Sequence, residues 1–250
     1  MAFSIRAAFI ALTLHAAPDH SDVNRGVPVI VELFTSEGCS SCPSADALLA
    51  QLIRNQPVSG ARVIALGEHV DYWDDLGWKD SFSAKTFTER QLDYVRQFKL
   101  RGPYTPQMVI GGLVQVLGSD EQAAREAIAR IANSPAGTMT LRLVELGTDV
   151  SLDVQASWSG GRAEILLAVV EDHAVTKVTR GENAGRAIEH AAIVRSLTRL
   201  GTGVGVFSGR VTIDARLAPQ PAHVVVFAQE PHGGRIYAAE TVSLKSTEAR

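Results

Sequence analysis

Cysteine is nearly absent from this chain: two occur in 250 residues, Cys39 and Cys42. A wider disulfide framework is thereby excluded, and so is a zinc site built from two cysteine pairs. Long runs of positive charge are also missing, and the net charge is −3. Nucleic acid and anionic membrane surfaces are not the partners that such a composition serves. The apolar run near the start, Ala7 to Leu14, falls far short of the roughly 20 residues a membrane-spanning helix needs. There is no internal repeat and no low-complexity tract. Tryptophan is sparse, and two of the three lie between Gly67 and Asp80.

What is present is ample apolar content, 46% of residues, enough for one large domain or two modest ones. Residues Met1 to Ala17 read as an export signal: Arg6, then the apolar run, then Ala16 and Ala17 before Pro18. The expectation is a mature protein that starts near residue 18, is periplasmic or secreted, and is not integral to the membrane after cleavage. Cys39 and Cys42 then meet an oxidising compartment, where a dithiol needs an oxidising task or a dedicated electron donor.

The chain is organised around Val29 to Pro43. Five of the six residues from Val29 to Phe34 are apolar, a buried-strand pattern. The pattern breaks at Ser36-Glu37-Gly38, and Cys39 and Cys42 follow at C-x-x-C spacing. Ser44 to Arg54 then reads as a helix with Ala45, Leu48, Leu49, Leu52 and Ile53 on one face. Strand, C-x-x-C, helix is the order of thioredoxin-like redox proteins. At a helix N-terminus the free amides and the dipole favour a Cys39 thiolate, the attacking form. Cys42, one turn on, is placed to resolve a mixed disulfide. Pro43 falls early in the helix, where a missing N–H costs little. As a structural staple the pair is poor, since a four-residue loop contributes only about 2 kcal/mol against about 4.7 for a loop of a hundred residues.

Val27 to Phe34 is the first expected strand and Arg62 to Leu66 the second, parallel to it. The second runs into a stretch rich in aromatic and acidic residues, from Gly67 to Asp80. A helix is expected over Ala84 to Phe98, capped by Ser83. Pro106 precedes an apolar strand, and Gly111-Gly112 is a hairpin turn into Leu113 to Leu117. Ser119, with Gln122 completing a capping box, opens a helix through Ile131. Residues 133–137 form the expected boundary. Beyond it come strands at Thr138–Val144, Val150–Trp158, Ala163–Glu171, Val175–Thr179, Gly209–Leu217, His223–Gln229 and Arg235–Leu244, with a turn at Ser159-Gly160-Gly161. The fold class is therefore α/β: a thioredoxin-like domain (27–135) with a helical insertion, then a smaller β-rich domain (138–245), an antiparallel sheet or sandwich.

Four motifs carry a family resemblance: Glu32 to Pro43; His69-Val70-Asp71-Tyr72-Trp73 with Leu76 to Asp80; Tyr104-Thr105-Pro106-Gln107-Met108; and Arg180 to Arg186 with Val194-Arg195. On these the chain resembles domain-of-unknown-function family 1223, exported bacterial proteins with a thioredoxin-like domain. The family carries no established activity. The wider thioredoxin resemblance implies a cis Thr105–Pro106 bond facing the C-x-x-C, where a substrate peptide adds as a short strand. It also implies a buried acid beneath the second cysteine, for which Glu32 is the candidate. Its parity is open, because a one-residue shift turns a strand side chain to the other face.

The candidate catalytic residues are Cys39, Cys42, Glu32 and His69, with Glu68 placed to raise the pKa of His69 if both share a cleft. Asp71 is a further candidate. Tyr104, Thr105, Pro106, Trp73 and Trp78 are the candidate substrate-binding residues. Arg180, Glu182, Asn183 and Arg186 read as a structural turn clamping the second domain to the first. The expected function is thiol–disulfide exchange on protein substrates with a redox partner protein and no cofactor. The alternatives are copper or zinc delivery through Cys39, Cys42 and His69, or a non-catalytic binding module.

Overall fold

Apolar and β-branched residues crowd Val27–Thr35 and Ala61–His69, and these form two strands, β1 and β2, buried on both faces. In the computed structural model, which describes residues 26–146, 149–214 and 221–244, they pair in parallel with Thr35 opposite His69. The helix between them, α1, spans Cys42–Asn55 and buries Ala45, Leu48, Leu49 and Leu52. It starts two residues earlier than expected, so Cys42 lies inside its first turn. The segment expected as an export signal lies outside the described residues.

Helix α2 (Lys85–Gln97) follows the aromatic loop, and the hairpin β3 (Gln107–Ile110) and β4 (Val114–Leu117) comes next. Gly111 and Gly112 make its turn at φ +59° and +70°, a conformation glycine adopts without strain. β3 runs antiparallel to β1 on the side away from β2. Helix α3 covers Glu121–Ala132. Two expected caps are corrected here. Asp120, not Ser119, caps α3, accepting from the Ala123 N–H at 3.0 Å. Ser83 does not cap α2 but donates to Asp74 Oδ2 at 2.8 Å.

The remaining strands are β5 (Gly137–Leu146), β6 (Asp149–Lys177), β7 (Ala187–Asp214), β8 (Ala222–Gln229) and β9 (Ile236–Ser243). β6 and β7 are far longer than the sequence pattern implies. β6 runs through Ser159-Gly160-Gly161 rather than turning there, with a register shift against β7 between Ser157 and Arg162. Straight, its 29 residues would span roughly 95 Å. Val150, Leu152 and Val154 nevertheless share one core with Ile165, Leu167 and Val169, so the strand bends at the register shift about the glycines. Residues 187–208, not expected as strand, are the first part of β7.

All nine strands among the described residues join one sheet, β4-β3-β1-β2-β7-β6-β8-β9, with β5 on β6. The two halves meet in parallel at a single pair, Gly67 with Ile193. A Cβ on Gly67 would lie 3.1 Å from the Ala191 carbonyl oxygen and 3.2 Å from that of Ala192, so glycine permits the close approach. The main core mixes both halves: Leu33, Leu49, Ile110 and Ile128 pack with Leu166, Val194, Val225 and Phe227.

Candidate functional site

Side chains alternate along a strand, and this splits the candidate residues between two faces of the sheet. Leu33 and Thr35 of β1 face α1. The Leu33 Cδ1, the Ala45 Cβ of α1 and the Pro106 Cβ converge on Gly118, where a Cβ would lie within 3.1 Å of all three. Glu32 and Phe34 face α2 instead. Glu32 accepts from Arg90 Nε at 2.6 Å and from the Tyr94 hydroxyl. Arg90 lies 3.3 Å from Glu68 Oε1, donates to Gln229 Oε1 at 2.9 Å, and is stacked near Tyr94 and Phe227. The parity left open in the sequence thus resolves away from Cys42: Glu32 is a buried ion-pair partner on the far face. Glu68 shares that face. Burial, together with the adjacent Glu32, pushes its carboxyl well above the ordinary value against the pull of Arg90. It does not stand among the groups that shift His69.

On the α1 face, Cys39 and Cys42 are joined as a disulfide. The Cys39 Sγ lies 3.3 Å from Ser41 Oγ, and the Cys42 N–H donates to the Cys39 carbonyl. The two cysteines are 1% and 0% exposed, whereas Ser40 and Ser41 face solvent. The turn between β6 and β7 covers them. Asn183, fully buried, donates through Nδ2 to the carbonyls of Glu37 and Cys39, each at 2.9 Å. Glu182 Oε2 accepts from the Ser40 N–H at 3.0 Å. The turn expected to clamp the halves together does so on the C-x-x-C loop itself, by hydrogen bonds.

Beside the disulfide is a buried polar cluster of which only His69 was a candidate from the sequence. His69 Nδ1 is 2.7 Å from Asp80 Oδ2, and its ring centroid is 4.9 Å from that of His190 on β7. Phe82 packs against both rings. His190 Nε2 lies 3.2 Å from Glu37 Oε1. Glu37 in turn accepts from Trp78 Nε1 at 2.7 Å and donates its N–H to Asp80 Oδ2 at 2.9 Å. Asp46 is one turn beyond Cys42 on α1, a spacing that puts both on one helical face, and both are buried. Burial raises the Asp46 carboxyl above its ordinary value, against the attraction of His190 and His69. For His69, burial disfavours the charged ring, but Asp80, with Asp46 and Glu37, more than offsets this and holds its pKa above the ordinary value.

A histidine whose pKa is raised by folding adds stability that is complete below its unfolded value of about 6.5 and is lost as pH rises through the folded value. Asp80→Asn should therefore flatten the decline of stability above neutrality. Urea midpoints across a pH series would show it, and an unchanged slope would sink the pairing as the source.

Of the expected substrate-binding residues, Thr105 and Pro106 are joined by a cis bond. Trp73 Nε1 donates to Thr105 Oγ1 at 2.9 Å, and the Trp73 Cβ lies 3.1 Å from where a Gly38 Cβ would stand. Trp73 thus spans the space between the two loops. Tyr104 points to Gln115 on β4, and Trp78 to Glu37. Asp71 holds the start of α2 by accepting from Thr88 Oγ1 at 2.5 Å. The sequence reading missed Asp46, Glu37, Asp80 and His190. A signal existed for Asp46, an acid set between Ala45 and Leu48 on an otherwise apolar face. His190 carried none. Among the described residues, no three of His, Cys, Asp and Glu are grouped to hold a metal ion, and no helix is long and apolar enough to cross a membrane.

Fold and site together define a mixed α/β protein whose two cysteines form a buried disulfide under a turn from its second half. Residues 30–229 match the family described as "Protein of unknown function (DUF1223)", and the chain belongs to that family. The X-ray structure of protein AGR_C_4864 from Agrobacterium tumefaciens is similar at 27% identity and TM-score 0.69, over 90% of this chain and 98% of that one. HBP35 of Porphyromonas gingivalis is similar in fold at 16% identity and TM-score 0.62, over 90% of this chain and 78% of that one. No curated protein matches the chain.

Proposed function

We propose that the chain is an exported thioredoxin-like thiol–disulfide oxidoreductase, with α2 and its preceding loop as the helical insertion and residues 138–245 as the β-rich domain. The observation that carries the reading is the Cys39–Cys42 disulfide at the start of α1, with the cis Thr105–Pro106 bond packed against the same helix. In the reduced protein, once the β6–β7 turn is displaced from over the buried Cys39, the Cys39 thiolate attacks one sulfur of a substrate disulfide. The other substrate sulfur leaves as a thiolate and takes a proton. Cys42 gives its proton to Asp46 and attacks Cys39 Sγ, which releases the second substrate sulfur and restores the Cys39–Cys42 disulfide. The substrate gains two electrons and the cysteine pair loses them. The reverse sequence oxidises a substrate dithiol, and the partner's potential sets the direction. His69, oriented by Asp80, exchanges protons with the site. Thr105 and Pro106 offer backbone to a peptide strand, with Trp73 beside them.

Asp46 takes the role of the buried acid in place of Glu32, because Glu32 is bonded to Arg90 on the opposite face of the sheet. The test is trapping. Cys42→Ala in the full chain should accumulate mixed disulfides on Cys39 with protein substrates, separable on non-reducing gels. Cys39→Ala should accumulate none. Equal, low yields from both variants would remove the exchange mechanism.

A further inference from the structure

The carboxylate of Glu182 occupies an unusual place. It comes from the β6–β7 turn, 142 residues away in sequence, and accepts from the N–H of Ser40, the residue after Cys39. The turn is held there by Asn183 on the Glu37 and Cys39 carbonyls, by Arg186 donating to Asn183 Oδ1 at 3.1 Å, and by Gly181, whose Cα lies 3.5 Å from where a Gly77 Cβ would stand. A loop amide leading into α1, the one that follows Cys39 in the chain, is thus committed to a fixed anion rather than left free for a thiolate. Hydrogen bonding from Ser40 keeps the Glu182 carboxyl below its ordinary value, so the anion is present at neutral pH.

We propose that Glu182 is a positioning residue that restrains ionisation of Cys39, so that the second half of the chain sets the reactivity of the dithiol. This rests on the exchange reading above, but its test does not need a substrate. Like charges in proximity disfavour one another's charged forms. The other titratable or charged groups packed about this end of α1 are Glu37 from the loop before Cys39, Asp46 from α1, His69 with Asp80, His190 from β7, and Arg186 from the turn. Of these acids, Glu37 and Asp80 are tied to Trp78 and His69 respectively, and Asp46 is attracted by both His190 and His69. Glu182 is the one whose charge is spent directly on the C-x-x-C backbone.

The experiment is a pH titration of reduced full-length protein, following thiolate absorbance and iodoacetamide labelling, with mass spectrometry assigning the labelled cysteine. Glu182→Gln keeps the side-chain shape and an acceptor oxygen while removing the charge. It should lower the Cys39 titration midpoint by roughly half a unit, which is about threefold more thiolate below the midpoint. The difference should shrink with added salt, because an exposed charge is screened. Asn183→Ala loosens the turn without changing its charge. A Glu182→Gln midpoint identical to wild type overturns the proposal. So does an equal shift in Glu182→Gln and Asn183→Ala that is indifferent to salt, since docking rather than charge would then be responsible. Failure of Cys42→Ala trapping alongside a shifted midpoint would remove the exchange reading and leave this one standing.

Discussion

Arg90→Met should cost about 3–5 kcal/mol of unfolding free energy, the largest single effect expected outside the hydrophobic core. Among the described residues the guanidinium is the one cation paired with two buried carboxyl groups, Glu32 and Glu68, and both lie at 0% exposure. It also links the halves, since Gln229 on β8 accepts from it and donates to the Tyr94 hydroxyl at 2.8 Å. Methionine fills the space but leaves Glu32 ionised or forces it to take up a proton, and either is unfavourable in an apolar surround. Denaturant unfolding measures the loss. The double variant Glu32→Gln, Arg90→Met should lose less than the sum of the two singles, because the uncompensated charge is gone. A loss below about 1 kcal/mol for Arg90→Met, the range of an exposed pair, would mean that water reaches this network and it is not a buried ion pair.

Asp46→Asn should move stability and exchange in opposite directions. A carboxyl whose pKa is raised by folding destabilises the protein as pH rises above its unfolded value of about 3.9, and the cost is complete above the folded value. Burial is the main cause of the rise for Asp46, so an uncharged amide of equal size relieves it, and the variant should melt at a higher temperature at neutral pH. The same change removes the group proposed to take the Cys42 proton. General-base assistance contributes typically about 10²–10⁴-fold, so release of glutathione from a mixed disulfide on Cys39 should slow by at least about a hundredfold. As pH falls through the folded pKa of Asp46, the wild-type rate should converge on that of the variant. A variant that is more stable yet resolves at the wild-type rate would make Asp46 a buried structural acid.

How much of this could be read beforehand depends on how local each feature is. The C-x-x-C, its helix and the hairpin at Gly111-Gly112 were legible because each is specified within a few residues by periodicity and turn chemistry. The α3 cap was misplaced by a residue because Ser119 and Asp120 are both able to accept from the first amides of the helix, whereas Ser83 is drawn away from α2 by Asp74. β7 was missed over 201–208 because glycines at 201, 203 and 205 interrupt it, and glycine in a strand carries little propensity of its own. Its pairing with β6 holds it extended. β6 was cut at Gly160 because a glycine pair at a register shift reads locally like a hairpin turn.

By itself the amino-acid sequence determined the family and the dithiol at a helix start, with a proline-led strand after it, since these rest on short-range geometry and on residues present in one run. Only the tertiary structure decided which acid shares a buried face with Cys42. Strand parity turned Glu32 toward Arg90, and helical spacing put Asp46 behind Cys42. It also decided that His190, Glu182 and Asn183, all from the far half of the chain, close over the site. That closure depends on β7 joining β2 at one glycine, a contact between segments more than a hundred residues apart that no local pattern encodes.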